Sequence, residues 1–559
     1  MIFSSRLPLP PVPQCDVFNY IFHHSRRDYP RSRVLYRIDG TDEQLTLAEL
    51  EAQSRRMALV LRTQYNIKPQ DVVAIFAYDK IQYPIAYFGA LAAGATVALI
   101  PVQASTAASD IARHLKQSDA KLLITDTNVL SLAEAACTLL DTRSLSLVTL
   151  DETPNHQYPC VAALLNTITT HCQEDIFHLQ TPEAAENHTA FINRTSGSTG
   201  NMKCVLVSHA HFIATLEGTR ATIPANTSPD TDTWVSPLSL GFFINAKLSM
   251  GLNIVLGIPV VLVPSKPDLD AASAVDIISR HKITFLFITP PLAAQLARFE
   301  TSSSQTKSMK WLLSAGAPIH ENLRTEVSRR FHDIPLSLEL GTAETMLVSI
   351  QFDEDSRAPG STGTLVSGIE AKVLDLKTGL EQNGSGPKYA GELLIRNCLA
   401  RYRGYQNNAV ANAAAFDAEG WFHTGDFGYL DAKGNLYVVD RIKEMIKTGG
   451  GYGSHVSAAE LEAVLFTHQA VGSVVVLGVR EECSQRDLPT AFVVPKMNEM
   501  GQLEMGKLQQ AIEKFAEKRL TGLQKLTGGV HCLSELPRKG IKVDRSALRE
   551  LAKMRPMIQ

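Results

Sequence analysis

Thr195-Ser196-Gly197-Ser198-Thr199-Gly200-Asn201-Met202-Lys203 is the most informative stretch of this chain. Hydroxyls alternate with glycines, and a lysine closes the run. The pattern suits a loop that wraps a polyphosphate: glycines let backbone N–H groups approach, hydroxyls donate to oxygens, and the ammonium offsets negative charge. It is not a Walker loop, because no Gly-Lys-Ser/Thr follows the second glycine at the required spacing. Alone, a Ser/Gly-rich stretch is more often a flexible turn, so the surroundings must decide.

Working outward, helical and strand patterns alternate through the first two-thirds of the chain. Thr46-Leu47-Ala48-Glu49 is a capping box opening a helix with apolar residues at 47, 50, 57 and 61, and Val72 to Phe76 reads as a short buried strand. Pro84 to Val102 reads as a helix stopped at Gly94 and then the strand Thr96 to Ile100. Similar apolar runs recur at Leu122 to Thr125, Leu145 to Leu150, Ile254 to Val263 and Phe285 to Thr289. Such alternation predicts an α/β fold of layered sheets with helices on their faces.

The order breaks near Gly420. A turn-rich hairpin, Asp431 to Asn435, feeds the strand Leu436 to Val439, and the charged run Asp440 to Glu444 looks like a linker. Beyond it, Ser457-Ala458-Ala459-Glu460 starts a compact unit with the strand Val474 to Leu477 and a helix presenting Leu508, Ile512 and Phe515 on one face. The expectation is a large N-terminal domain, 1–440, and a small α+β C-terminal domain, 441–559. At ~150 residues per folding unit, 559 residues have ample length for this.

Composition removes whole classes. With 45% hydrophobic and 20% charged residues the chain is an ordinary globular protein rather than a disordered one. Lys+Arg at 54 against Asp+Glu at 57 argues against nucleic acid or anionic membrane as the main partner. The eight cysteines are scattered, without a C-x-x-C pair or zinc-site spacing, and read as reduced thiols in a cytoplasmic setting. No stretch reads as a membrane span or secretory signal.

The 195–203 segment resembles the phosphate loop of the adenylate-forming superfamily, which includes acyl-CoA synthetases, 4-coumarate-CoA ligase-like enzymes, luciferases and peptide-synthetase adenylation domains. The resemblance continues in order along nearly the whole chain. Ser314-Ala315-Gly316-Ala317-Pro318 is similar to the adenine-side loop, and Gly341-Thr342-Ala343-Glu344 to the motif whose glutamate helps hold Mg²⁺. Trp421 to Asp426 is similar to the ribose motif, Asp440 to Lys447 to the hinge, and Gly540 to Arg545 to the segment of the catalytic lysine. Six motifs in one order outweigh any single match.

What the resemblance implies is ATP-dependent activation of a carboxylic acid. Thr195, Ser196, Gly197, Ser198, Thr199, Gly200 and Lys203 would hold the phosphates, and Ala315, Gly316, Ala317, Gly341, Thr342 and Ala343 would flank the nucleotide. Asp426 and Arg441 would hold the ribose, and Glu344 the metal. Lys542 would bridge the carboxylate and the α-phosphate. The C-terminal domain would turn at Lys443 to exchange Lys542 for the segment beginning at Lys447, so that CoA attacks the acyl-adenylate. Leu240, Phe242, Phe243, Ala246 and Glu339 would meet the acid.

Departures from the family pattern bear on the acceptor. Met202 replaces a proline, Cys204 a glycine, Leu340 an adenine-stacking tyrosine and Leu240 a histidine common in CoA-forming relatives, and Ala343 leaves Thr342 as the nearest phosphate-contacting hydroxyl. The hinge loop 448–453 is also longer than usual. No Phe-Asp pair stands in 234–245, which disfavours an ordinary α-amino acid. The leading expectation is an acid–CoA ligase. Transfer to a carrier protein or an amine is the alternative, and a nucleotide-binding protein without turnover is a more distant one.

Overall fold

The computed structural model describes residues 1–24, 27–140, 145–168, 176–195, 202–236, 238–264, 269–319, 321–448, 455–481, 486–496, 502–539 and 542–554. The fold is mixed α/β, with a large N-terminal domain and a small C-terminal one. By compactness the chain sorts into residues 2–371 with 395–422, and a second unit of Met1, 372–394 and 423–559. The second unit thus includes segments that precede residue 440.

The first unit is built on two sheets. One runs Ser146–Thr149, Ala120–Thr125, Val72–Ile75, Thr96–Leu99, Thr189–Thr195 and Lys203–Ser208, parallel except for the last pair. Its inner strands, such as Val72-Val73-Ala74-Ile75, are buried throughout, as continuous apolar runs in a sheet covered on both faces should be. The capping box forms: Thr46 Oγ1 accepts from Glu49 N and Glu49 Oε2 accepts from Thr46 N, opening the helix Leu47–Thr63 with Leu47, Leu50, Met57 and Leu61 inward. The helix Gln82–Ala92 stops at Gly94, where φ is +82° and a Cβ would stand 2.7 Å from the Phe177 ring.

The second sheet has nine strands in the order Thr364–Leu365, Ser349–Ile350, Leu336–Leu340, Trp311–Ser314, Phe285–Phe287, Trp234–Val235, Val260–Leu262, Val34–Ile38 and Gln44–Thr46. One face packs Val235, Val261, Leu286, Leu312 and Leu336 against apolar side chains of the helices Ala271–His281, Pro290–Leu296 and Glu321–Arg330. The apolar run from Ile254 splits: 254–256 belong to the helix Asn253–Leu256, and the strand begins only at Val260. Gly257 makes the break, at φ +73° with the Tyr29 ring where a Cβ would stand.

In the second unit the strands Val471–Arg480, Asp487–Pro495 and Val530–Cys532 form a sheet with a core on each face. Val474, Val476, Ala491 and Val493 meet the helices Ala458–Phe466 and Gln502–Arg519, while Val475, Leu477 and Phe492 meet Leu548 of the helix Arg545–Met554. The long helix buries Leu508, Ile512 and Ala516, with Phe515 at the margin under Arg519. The charged run at 440 is not a free linker. Asp440 and Arg441 end the strand Leu436–Arg441, and Asp440 Oδ2 accepts from Ser457 Oγ at 3.1 Å and Ala458 N at 2.8 Å, fastening the start of the helix Ala458–Phe466. Burial raises the Asp440 carboxyl above its ordinary range. Among the described residues no helix is long and apolar enough to cross a membrane.

Candidate active site

The strands Thr189–Thr195 and Lys203–Ser208 form an antiparallel hairpin in which Thr195 stands opposite Lys203. Residues 196–201 lie outside the described residues, so the expected phosphate contacts of Ser196, Gly197, Ser198, Thr199 and Gly200 do too. What is described is the base of the loop. The Lys203 ammonium sits 4.4 Å from the centroid of the Tyr405 ring, and Tyr405 Oη donates to Glu344 Oε1 at 2.6 Å. Lysine and glutamate, widely separated in sequence, therefore meet on one tyrosine.

Tyr405 is held from several sides. Its N–H donates to Asn412 Oδ1 at 2.7 Å and its carbonyl accepts from Asn412 Nδ2 at 2.9 Å. Leu206 N donates to Gly404 O, and Gln406 N to Cys204 O, so 404–406 runs alongside the strand that carries Lys203. Gly404, at φ +73°, has Asn412 Oδ1 where a Cβ would stand. Sequence reasoning missed Tyr405: it lies in an irregular stretch whose only cue is the pair Gly404-Tyr405. Cys204, one of the departures from the family loop, is buried in the core, and burial pushes its thiol up to about 11. It packs rather than reacts.

Two parallel strands end in the loops expected to flank the nucleotide, at the carboxyl ends where open α/β sheets place ligands. Ala315, Gly316 and Ala317 follow the strand Trp311–Ser314. Gly316 has φ +88°, and a Cβ there would meet nothing within 4 Å. Gly341, Thr342, Ala343 and Glu344 follow the strand Leu336–Leu340. At Gly341 a Cβ would lie 1.8 Å from Met346 O, so only glycine lets the turn close. Thr342 Oγ1 accepts from Glu344 N and Thr345 N, both at 3.2 Å, and Asn193 Nδ2 donates to Ala343 O at 3.4 Å. The Thr342 hydroxyl, expected to replace a phosphate contact, is already the pin of this turn. Glu344 is buried.

Of the residues expected to meet the acid, Leu240 and Ala246 are fully buried while Phe242 and Phe243 are half-exposed. Asp79 Oδ1 accepts from Leu240 N at 2.8 Å, and the Phe243 ring meets Phe191 and Phe212 edge-on. Glu339 is not a lone carboxylate: Lys247 Nζ lies 2.5 Å from its Oε2. Nearby, His211 is fully buried with its ring 5.0 Å from that of Tyr402, and burial pushes the imidazole down to about 4. At neutral pH it carries no charge.

The second unit carries a group of its own. Asp426 and Arg441 are opposite each other across two strands, with Arg441 Nε 2.6 Å from Asp426 Oδ1. Asp426 is buried and Arg441 half-exposed, and Arg441 Nη1 donates to Thr424 O. Lys443 stands exposed in the turn that follows, and Lys447 ends the next short strand, opposite His455. Arg545 lies 3.6 Å from Glu444 and 3.7 Å from Glu462. Glu462 accepts from Val476 N at 2.8 Å, and burial nevertheless raises its carboxyl to about 7, against the pull of Arg545. The backbone of Lys542 opens a strand opposite Lys539. Its side chain, and residues 449–454 of the hinge loop, lie outside what is described.

Within the first unit two loops follow adjacent parallel strands and Lys203 closes an antiparallel hairpin, and the second unit carries an Asp–Arg pair on adjacent strands, the arrangement of an α/β fold with the elements expected for a nucleotide. The chain belongs to the AMP-binding enzyme family, whose model matches residues 22–405, and the AMP-binding enzyme C-terminal domain matches 460–541. It is therefore an enzyme of the adenylate-forming ligase superfamily. It is 29% identical over 506 residues to 4-coumarate–CoA ligase 3 of Arabidopsis thaliana, covering 88% of this chain and 85% of that one. In fold it is similar to ATP-bound MatB from Rhodopseudomonas palustris, with TM-score 0.80, 20% identity and coverage of 96% and 99% of the two chains. It is likewise similar to the amide bond synthetase McbA from Marinactinospora thermotolerans, with TM-score 0.78, 19% identity and the same coverage.

Proposed function

We propose that this enzyme joins a carboxylic acid to CoA in two half-reactions. A carboxylate oxygen attacks the α-phosphorus of ATP and pyrophosphate leaves, giving an acyl-adenylate; the CoA thiol then attacks the carbonyl carbon and AMP leaves. The observation that carries this reading is the meeting of Lys203 and Glu344 on Tyr405, beside the base of the phosphate loop. It sets a cation and a hard carboxylate ligand together where a polyphosphate and its counter-ion are to be held.

The donor set fits Mg²⁺ that arrives with the nucleotide. Among the described residues no group of three His, Cys, Asp or Glu is clustered to cage a resident metal, but Mg²⁺ bound to phosphates needs only one or two protein carboxylates, and Glu344 is one. When bound, the ion supplies neutralisation of phosphate charge. Lys203 adds to it, the 195–203 loop orients the departing pyrophosphate, and Asp426 accepts from the ribose hydroxyls with Arg441 in support. Lys542 offsets the repulsion between carboxylate and α-phosphate, the largest obstacle to attack of one anion on another. The part that moves would begin at 441, turning at Lys443 to withdraw Lys542 and bring in the segment from Lys447.

A second acceptor is favoured by the hinge loop 448–453, which is longer than in the family pattern that the sequence resembles. Transfer to an amine or a carrier thiol keeps the same first half-reaction. Acid-dependent exchange of labelled pyrophosphate into ATP tests adenylation, and mass identification of the product with CoA, an amine or a carrier tests the acceptor. No exchange with any acid would remove the reading.

A further inference from the structure

Lys247 and Glu339 are each only 2% exposed, and the bond between them is the only hydrogen bond either side chain makes among the described residues. An ammonium has three donors and a carboxylate several acceptor sites, so the pair balances charge while hydrogen-bonding capacity is left over. As a device for fixing a helix to a sheet it is inferior to two apolar side chains of equal volume, because desolvating two ions offsets their attraction. Its position suggests a different use.

Glu339 alternates with Ser337 on the sheet face that also carries Leu313, Trp311, Phe285, Trp234 and Tyr36, as the register sets it. The helical run after Phe243 packs on that face, since Tyr36 Oη donates to Ser249 O at 2.9 Å. Phe243 and Lys247 are one turn apart on one side of the helix Phe243–Lys247. Burial rises along this helix, from half-exposed Phe242, Phe243 and Ile244 to buried Asn245, Ala246 and Lys247. Along the strand the same holds: half-exposed Leu340 and Gly341 lead back to buried Glu339. Both paths run inward from the strand-end loops and end at the ion pair.

On the adenylation reading, which this inference rests on, the acyl–phosphate bond forms at those loops and the tail of the acid extends inward. We infer that Lys247 and Glu339 close the inner end of the acid site as a charge-balanced wall that admits monocarboxylic acids with an uncharged tail and excludes tails ending in a second carboxylate or an ammonium. A charged tail end meets a like charge as near as an opposite one, so nothing compensates its desolvation. An uncharged tail incurs no such loss, and a terminal hydroxyl can use the spare donor and acceptor.

The test is acid-dependent pyrophosphate exchange by the full-length protein with four acids of equal length ending in methyl, hydroxyl, carboxyl and ammonium. Wild type is expected to favour the first two by about tenfold or more. Glu339→Gln leaves Lys247 uncompensated and should raise the relative rate of the dicarboxylic acid by about tenfold; Lys247→Met should favour the ammonium acid instead. The reversed pair, Lys247→Glu with Glu339→Lys, restores neutrality and should restore the wild-type ranking, a rescue that packing alone does not produce. A ranking unmoved in the single variants overturns the wall. Should those variants fail to fold, equal use of the methyl and carboxyl acids by wild type overturns it as well. Wild-type protein without exchange on any acid refutes adenylation itself, and the wall with it.

Discussion

Replacing Tyr405 by Phe removes one oxygen and keeps the ring. The lost interaction is a hydrogen bond of 2.6 Å from a buried phenol to the Glu344 carboxylate, and the retained one is the face on which the Lys203 ammonium rests. Hydrogen bonds to charged partners contribute ~1.5–3 kcal/mol, which corresponds to a factor of ~10–150. If the phenol holds Glu344 where the metal-bound phosphates need it, kcat/KM for MgATP in the exchange assay should fall within that range, while KM for the acid stays near its wild-type value. ATP binding measured by calorimetry should become less sensitive to added Mg²⁺. Tyr405→Leu also removes the ring and should lose a further factor set by a cation–π contact of ~0.5–2 kcal/mol. The decisive measurement is a double-mutant cycle of Tyr405→Phe with Glu344→Gln. Groups that act through one another should couple by ~1.5 kcal/mol, and additivity within ~0.5 kcal/mol would refute the argument.

The other expectations are separable. Lys542→Ala should abolish most pyrophosphate exchange yet largely spare thioester formation from a supplied acyl-adenylate; equal loss in both steps contradicts the assigned role. Gly341→Ala drives a methyl group into Met346 O, so exchange should drop by more than about tenfold as the Glu344 turn opens; wild-type rates would show that the turn is immaterial. Burial holds the His211 pKa at about 4 against ~6.5 in an unfolded chain. The unfolded state then binds more protons between those values, so the contribution of this residue is complete above ~6.5 and lost as pH falls toward 4. In urea unfolding, the stability lost between pH 7 and pH 5 should be smaller by ~2 kcal/mol in His211→Asn than in wild type. Glu462 has the opposite sign: its folded pKa of about 7 lies above the unfolded value, so its contribution weakens as pH rises through that window, and Glu462→Gln should flatten the decline.

Much of the fold was legible because it obeys local rules. The capping box at Thr46, the stop at Gly94 and the buried strand at Val72 rest on interactions within a few residues, and all three form. The run 254–263 misled for a related reason. Apolarity without periodicity does not distinguish a buried helix from a buried strand, and only the left-handed Gly257, seated on a tyrosine far upstream, settles where one gives way to the other. At 440 the charges looked solvated. Asp440 instead accepts from the first N–H groups of a helix 18 residues later, a pairing with no trace in composition.

At the site, motif order nominates the charged residues Lys203 and Glu344 but not what stands between them. Lys203 and Glu344 were both recognisable; had the fold brought them into direct contact, each would have neutralised the other, and at low dielectric that attraction is hardest to break when a ligand arrives. Tyr405 prevents this. Its ring face attracts the ammonium and its hydroxyl engages one carboxylate oxygen, so both charges are positioned without being cancelled. The contrast with Lys247 and Glu339 is instructive, because there the ions do touch and the result is a neutral, buried surface. On the readings proposed above, two lysine–glutamate combinations in one unit would take opposite roles, one offering charge and the other withholding it. What separates them is a single aromatic side chain supplied by a segment with no periodic pattern.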